Sequence, residues 1–177
     1  FALGCAVGTR GPCHNRSGAY EADIKGWTDR FTYEEEKGKY AAERENYAAT
    51  FDSFVLCKFI RGCFEDYYKE ASDLYSLTTG IEMTPDELKK TGERVWNLKK
   101  AFNIREGWTR KDDTLPPRIM KDPIPEGVAK GHLIKKKDLE FLKDAYYKAR
   151  GWTKEGMIPK EKLIELGLDD IAKEVGV

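Results

Sequence analysis

The stretch AVGTRGPCHNRSGAY, Ala6 to Tyr20, gathers two arginines, a Cys-His pair and three glycines with no apolar periodicity. Gly8, Gly11 and Gly18 permit close backbone approach or positive φ, and Arg10 and Arg16 supply forked donors suited to phosphate. Such a set can bind an anion. Cys13 adds a nucleophile or ligand, and His14 adds a group that transfers a proton near neutral pH. The plainer alternative is a surface loop with incidental arginines and a structural histidine, because these residues follow no diagnostic spacing.

A second set is DSFVLC, Asp52 to Cys57. The pattern predicts that Asp52-Ser53 caps a helix in which Phe54, Val55, Leu56, Phe59 and Ile60 are deeply buried. A cysteine about one turn past that cap lies where amide dipoles favour a thiolate, which suits a metal ligand. The alternative is a buried Cys57 on an apolar helix with Asp52 as an ordinary cap. The other cysteines, Cys5, Cys13 and Cys63, share no C-x-x-C spacing with it or with each other. They read as free thiols, packing residues or ligands of a group completed elsewhere.

The elements that must position these residues read as helices. Glu34 to Thr50 is a surface helix rich in Glu, Lys and Ala, with Tyr40 and Tyr47 on one face. A third helical pattern runs from about Phe64 to Leu77 and stops near Gly80. Thr84-Pro85-Asp86-Glu87 combines an N-cap, a proline at the first helical position and a capping-box Glu. From it Leu88, Val95, Leu98 and Phe102 mark an apolar face. Asn103 to Gly131 is proline-bearing and aperiodic, a long ordered loop of the kind that covers a site or another domain. Leu139, Leu142, Ala145, Tyr146 and Ala149 mark a further helix ended by Gly151. Pro159 to Leu166 is a short helix stopped by Gly167, and Asp169 to Glu174 a frayed turn. Tyr67-Tyr68 and Tyr146-Tyr147 read as core or interface, His132 as exposed and Lys135-Lys136-Lys137 as a solvated helix start. Strand signals are almost absent, so the fold class is all-α with long ordered loops, one helical domain over 1–177.

The 31 Lys+Arg balance the 31 Asp+Glu. That leaves no global field to attract nucleic acid or anionic lipid, so function must come from local sites. No apolar run of about 18 residues argues for a membrane span, and no signal-peptide pattern opens the chain. A cytoplasmic location is the resulting expectation. The opening Phe1-Ala2-Leu3-Gly4-Cys5 lacks Met and any helix start signal, which reads as a fragment cut from within a longer chain.

Taken together these stretches resemble the C-terminal part of the aldehyde:ferredoxin oxidoreductase family, the tungsten-bispterin enzymes. The resemblance rests on Gly8-Thr9-Arg10-Gly11 with Cys13-His14, and on Asp52 to Cys57 followed by Lys58-Phe59. It continues through Phe102-Asn103, Arg105-Glu106-Gly107, Asp112-Asp113-Thr114-Leu115-Pro116 with Arg118, Tyr146-Tyr147, Arg150-Gly151-Trp152 and Leu166-Gly167-Leu168, in order over nearly the whole chain. It implies that His14 lies near the tungsten and moves a proton or polarises substrate, and that Arg10 and Arg16 contact pterin phosphates. The family motif D-x-x-G-L-C implies that Asp52 and Leu56 hold a pterin and that Cys57 supplies one ligand of a 4Fe-4S cluster, the other three lying upstream. Val55 departs from that motif, where Gly is usual.

The implied cofactors are a tungsten-bispterin and a 4Fe-4S cluster, with a magnesium ion between the pterin phosphates as an optional addition. The implied activity is oxidation of a small aldehyde to a carboxylate, with electrons passed to ferredoxin or an iron-sulfur subunit. The implied partners also include the rest of a longer chain and, as in the family, an oligomer. The alternatives are the catalytic subunit of tungsten-dependent benzoyl-CoA reductase, which reduces an aromatic acyl-CoA and whose loop resembles Cys13 to Tyr20, and a non-catalytic helical interaction module.

Overall fold

Three long helices carry the architecture of the computed structural model, which describes residues 1–176. They are α4 (Glu36–Ser53), α6 (Pro85–Arg105) and α8 (Lys136–Arg150). Around them run α1 (Ala2–Val7), α2 (His14–Ser17), α3 (Tyr20–Lys25), a 3-10 helix (Lys58–Cys63), α5 (Tyr67–Thr79), α7 (Pro117–Lys121), α9 (Lys160–Glu165) and α10 (Asp169–Glu174). No strand occurs among the described residues beyond an isolated bridge between Thr9 and Gly11. The all-α reading therefore holds, and among the described residues no helix is long and apolar enough to cross a membrane.

The central helix α4 packs on α8 along one side and on α6 along another. Glycines set both approaches. A Cβ on Gly38 would stand 2.5 Å from the Ala145 and Tyr146 backbone of α8. One on Gly92 of α6 would stand 2.4 Å from the Asn46 carbonyl oxygen of α4. Helix α6 starts at the expected capping box: the Thr84 hydroxyl accepts from the Glu87 N–H at 3.2 Å and the Glu87 carboxylate accepts from the Thr84 N–H at 2.7 Å.

The main core gathers Leu3, Val7, Trp96, Leu139, Tyr146, Tyr147, Trp152 and Leu163. A second cluster forms where α5 lies on the ends of α4 and α6, with Phe51, Tyr67, Ala71 and Leu88 at its centre. Tyr146 and Tyr147 are thus core residues, as their spacing predicts. The main core is also ionic. Arg150 donates to the Glu45 carboxylate at 2.6 Å, to Asn46 Oδ1 at 2.6 Å and to the Ala42 carbonyl at 3.1 Å. The Tyr146 hydroxyl donates to Glu45 at 2.6 Å and accepts from Trp96 Nε1 at 2.9 Å. These bonds tie α4, α6 and α8 together at one point.

Several local expectations are corrected. The helix predicted after Asp52-Ser53 does not form: Asp52 and Ser53 close the last turn of α4, and residues 58–63 form a 3-10 helix. Val55, Phe59 and Ile60 are exposed, and Phe54 and Leu56 are half-buried. The buried face of α6 is Leu88, Gly92, Trp96, Asn97, Lys100 and Ala101, while Leu98 and Phe102 face outward. In α8 the buried position near the end is Arg150, with Ala149 exposed. Residues 169–174 form a helix rather than a frayed turn, and three short helices occupy the aperiodic opening stretch.

Candidate anion and metal-ligand site at the end of α4

The loop between α1 and α2 folds tightly on itself. The Gly11 N–H donates to the Gly8 carbonyl at 3.1 Å and the Cys13 N–H to the Gly11 carbonyl at 2.7 Å. A Cβ on Gly8 would meet the Gly11 oxygen at 2.5 Å, and Gly11 adopts φ 88°. Glycine is therefore required at both positions. The Asn103 amide of α6 donates to the Thr9 carbonyl at 2.8 Å and fastens this loop to α6. Arg10 is exposed beside that bond.

Arg16, one turn further on, joins the two predicted sets. Its Nε lies 3.2 Å from Asp52 Oδ2, and Lys58 Nζ lies 3.0 Å from Asp52 Oδ1. Its NH1 also reaches the Cys13 sulfur at 3.4 Å. Burial raises the Cys13 thiol, but hydrogen bonding and charge from Arg16 outweigh it and leave the thiol below its ordinary value. Cys57 is exposed at the start of the 3-10 helix, five residues past Asp52. His14 is exposed in the first turn of α2, 6.2 Å from the Tyr20 ring.

The structure therefore brings Arg16 and Asp52 into contact, keeps Leu56 and Cys57 on the same segment, and carries Arg10 and His14 at the two ends of the neighbouring loop. The thiolate argument from a helix N-terminus fails, because Cys57 follows the end of α4 instead of starting an α-helix. Lys58, which the sequence offers only as part of the resemblance, pairs with Asp52, and Lys99, which sequence reasoning passes over, feels the charges of this cluster. Burial lowers Lys99; Asp52 pulls it up, and Arg16, Arg10 and Lys58 push it further down.

The chain leaves α4 through a Schellman turn centred on Val55. The Leu56 N–H donates to the Phe51 carbonyl and the Val55 N–H to the Asp52 carbonyl, the six-to-one and five-to-two bonds of that motif. Leu56 packs into the cluster that holds Phe51, its usual apolar contact. Val55 occupies the left-handed position at φ 57°, where glycine fits without cost and a β-branched residue is strained. The Gly of the family motif is thereby explained. Because Val55 is 90% exposed, its side chain contributes little packing here. Val55→Gly should stabilise the chain by about 1 kcal/mol, the relief of left-handed strain less the added chain entropy of glycine. A urea midpoint at or below that of the parent would contradict this.

A pocket of about 360 Å³ opens between the Gly8 to Pro12 loop and Lys100, Asn103, Trp108 and Asp112 to Thr114. Its floor is a buried ion pair: Lys100 donates to Asp113 at 3.2 Å, and Asp113 also accepts from Trp108 Nε1 at 3.1 Å and the Tyr147 hydroxyl at 2.6 Å. Burial pushes the Lys100 ammonium down to about 8 and outweighs the pull of Asp113. Between about pH 8 and 10.5 the unfolded chain holds a proton that the folded chain has released, so stability from this group rises with pH across that window. The rise is at most about 1.4 kcal/mol per pH unit. From pH 7.5 to 9.5 the urea midpoint of the parent should rise more, or fall less, than that of Lys100→Met, where this slope is gone; parallel behaviour would refute it. A larger apolar cavity, about 670 Å³, lies under the stacked Phe31 and His132 rings, 4.1 Å apart, and holds none of the predicted site residues.

The donor set fits an anionic cofactor in part. Asp52 is half-buried and each oxygen meets one cation, which leaves acceptor capacity free for a ligand N–H. The surrounding arginine and lysine side chains suit phosphate. Cys57 offers a single thiol, and no group of three or more His, Cys, Asp or Glu side chains is placed to hold a metal among the described residues.

Residues 1–168 match the family model described as aldehyde ferredoxin oxidoreductase, domains 2 and 3. The tungsten-containing aldehyde ferredoxin oxidoreductase of Pyrococcus furiosus is 38% identical over 171 residues, covering 94% of this chain and 27% of that protein. That of Thermococcus kodakarensis is 36% identical over 171 residues, again 94% and 27%. The chain thus spans about a quarter of the length of these relatives. A WOR-like subunit of an aliphatic sulfonate oxidoreductase from Pyrococcus furiosus is 29% identical over 133 residues, 72% of this chain and 21% of that one. Among solved structures, an active-site complex of benzoyl coenzyme A reductase with 1,5-dienoyl-CoA shares the fold, with a TM-score of 0.66 at 24% identity over 83% of this chain and 21% of that chain. On the match across residues 1–168 and these relatives, the chain belongs to the aldehyde ferredoxin oxidoreductase family.

Proposed function

We propose that this chain is the helical, cofactor-holding part of a tungsten-pterin oxidoreductase that converts an aldehyde and water to a carboxylate, releasing two electrons and three protons. The observation that carries the reading is the Arg16–Asp52–Lys58 cluster with Cys57 on the same short segment. When bound, the tungsten-pterin group supplies the two-electron redox centre. Asp52 accepts hydrogen bonds from the pterin ring, with Leu56 packing behind it. Arg10 and Arg16 would hold its phosphate oxygens, whose charge a magnesium ion could share. Cys57 gives one thiolate of a 4Fe-4S cluster whose other ligands lie outside these residues, so one segment fixes pterin and cluster relative to each other. His14 would exchange a proton with substrate or water, a role its exposure in the first turn of α2 supports. The acceptor of the electrons would be ferredoxin or an iron-sulfur subunit.

The test uses the full-length protein. Cys57→Ser should lose iron and the cluster's EPR signal, Asp52→Asn should lose tungsten and pterin, and His14→Asn should slow turnover with both groups in place. Unchanged iron in the first variant would remove the ligand assignment. Full metal in the second would remove the pterin assignment. The fold likeness to benzoyl coenzyme A reductase favours a second reading, reduction of an aromatic acyl-CoA. Assaying the loaded enzyme with an aldehyde and with benzoyl-CoA separates the two.

A further inference from the structure

Around Asp52 the charges do not balance. Arg16 and Lys58 share that one carboxylate, and Arg10 and Lys99 have no carboxylate partner among the described residues. Arg16, Arg10 and Lys58 thus act on Lys99 with Asp52 as the opposing carboxylate, while Arg10 also lines the pocket that holds Asp112 and Asp113. Arg10 is exposed and water can solvate it. Lys99 is half-buried, so its charge is less well solvated than that of a surface lysine.

The backbone places Lys99 where a ligand of this site would pass. It lies one helical turn before Asn103, on the same face of α6. Asn103 donates to the Thr9 carbonyl at 2.8 Å, so that face abuts the loop carrying Arg10. The Lys99 ammonium stands 5.8 Å from the ring centroid of the buried Trp96, which limits the directions it can take. A half-buried cation held among like charges is stable when an anion joins it, and the two forked donors already here favour a phosphate ester.

We infer that Lys99 is a further binding residue of this site and takes a phosphate ester of the pterin cofactor, completing with Arg10, Arg16 and Lys58 a surface that spans α2, the 3-10 helix and α6. The inference rests on the pterin reading of the site. It assigns to α6 a part in holding the cofactor that neither predicted motif contains.

The experiment compares full-length wild type, Lys99→Gln and Lys99→Arg, each dialysed against rising inorganic phosphate, with tungsten and pterin per chain measured at each step. Lys99→Gln should release both at about tenfold lower phosphate than wild type, the loss of one charge-assisted hydrogen bond. Lys99→Arg should restore retention, and the thermal midpoint of the cofactor-stripped Lys99→Gln chain should not fall. Equal release from wild type and Lys99→Gln overturns the assignment. So does a lowered midpoint in the stripped chain that Arg fails to restore, which marks a structural lysine. Unchanged retention with a raised KM for an acyl-CoA would give the phosphate to the substrate and overturn the cofactor assignment. A wild type that carries neither tungsten nor pterin overturns the underlying reading with it, whereas equal release from a loaded wild type overturns Lys99 alone.

Discussion

Arg150→Met should lower stability by about 3–5 kcal/mol, the cost typical of removing one partner from a buried ion pair. Glu45 and Arg150 are both essentially inaccessible, and Glu45 Oε1 has no hydrogen-bond partner even in the parent. Burial already raises the Glu45 carboxyl to about 7 against the pull of Arg150 and Tyr146. Because its folded value lies above its unfolded one, the contribution of this group is fully present below about pH 4.5 and is lost as pH rises through 7. Without Arg150 the carboxyl is driven further toward its neutral form, which needs no partner cation. The loss should therefore be smaller at pH 5 than at pH 8, as read from urea midpoints at both values. An equal loss at both would mean that the charge of Glu45 is not what Arg150 offsets. The double variant Glu45→Leu with Arg150→Met should recover most of the stability, since apolar pairs replace buried ion pairs at little cost.

This network marks the boundary of what the sequence makes legible. Helices with strong local signals appear where their patterns put them: the capping box starts α6 at Pro85 and Gly151 ends α8. The tyrosine pair is core for the reason its spacing gives. Arg150, Glu45 and Lys100 are buried against every compositional rule, because their oppositely charged partners come from 13 to 105 residues away. No local period encodes such pairs. For the same reason the apolar positions of α6 mislead: Lys100, partnered by Asp113, takes a place inside while Leu98 and Phe102 stay outside.

The candidate site shows the same division. Its chemistry is visible in residue types, so Arg16, Asp52 and Cys57 stand out before any fold is known. Its geometry is not. Asp52 has the residue type of a helix start yet lies in a helix end, because the following Phe54 and Val55 close a Schellman turn whose left-handed position carries no glycine to announce it. With Gly at 55 the stop would be readable. Lys58 is given no role by the motif it follows and Lys99 carries no motif at all; only the meeting of α4, α6 and the Arg10 loop relates them.

Gly92→Ala should cost about 2–3 kcal/mol although alanine is the better helix former by about 1 kcal/mol. Its Cβ would stand 2.4 Å from the Asn46 carbonyl oxygen and 3.0 Å from Thr50 Cγ2, and a backbone oxygen in the middle of α4 cannot step aside. Relief requires α6 to move off α4. Lys99 and Asn103 lie two and three turns further along α6, so a tilt at Gly92 is carried about 10–16 Å down the helix axis to the residues that meet the Arg10 loop. The variant should therefore show two effects together: a lower urea midpoint, and in the full-length protein easier loss of tungsten. Gly26→Ala, at a position where a Cβ meets no atom within 4 Å, supplies the comparison for an ordinary glycine at positive φ. If Gly92→Ala destabilised no more than Gly26→Ala, the close approach of α6 to α4 would not be what holds the two halves of the site in register.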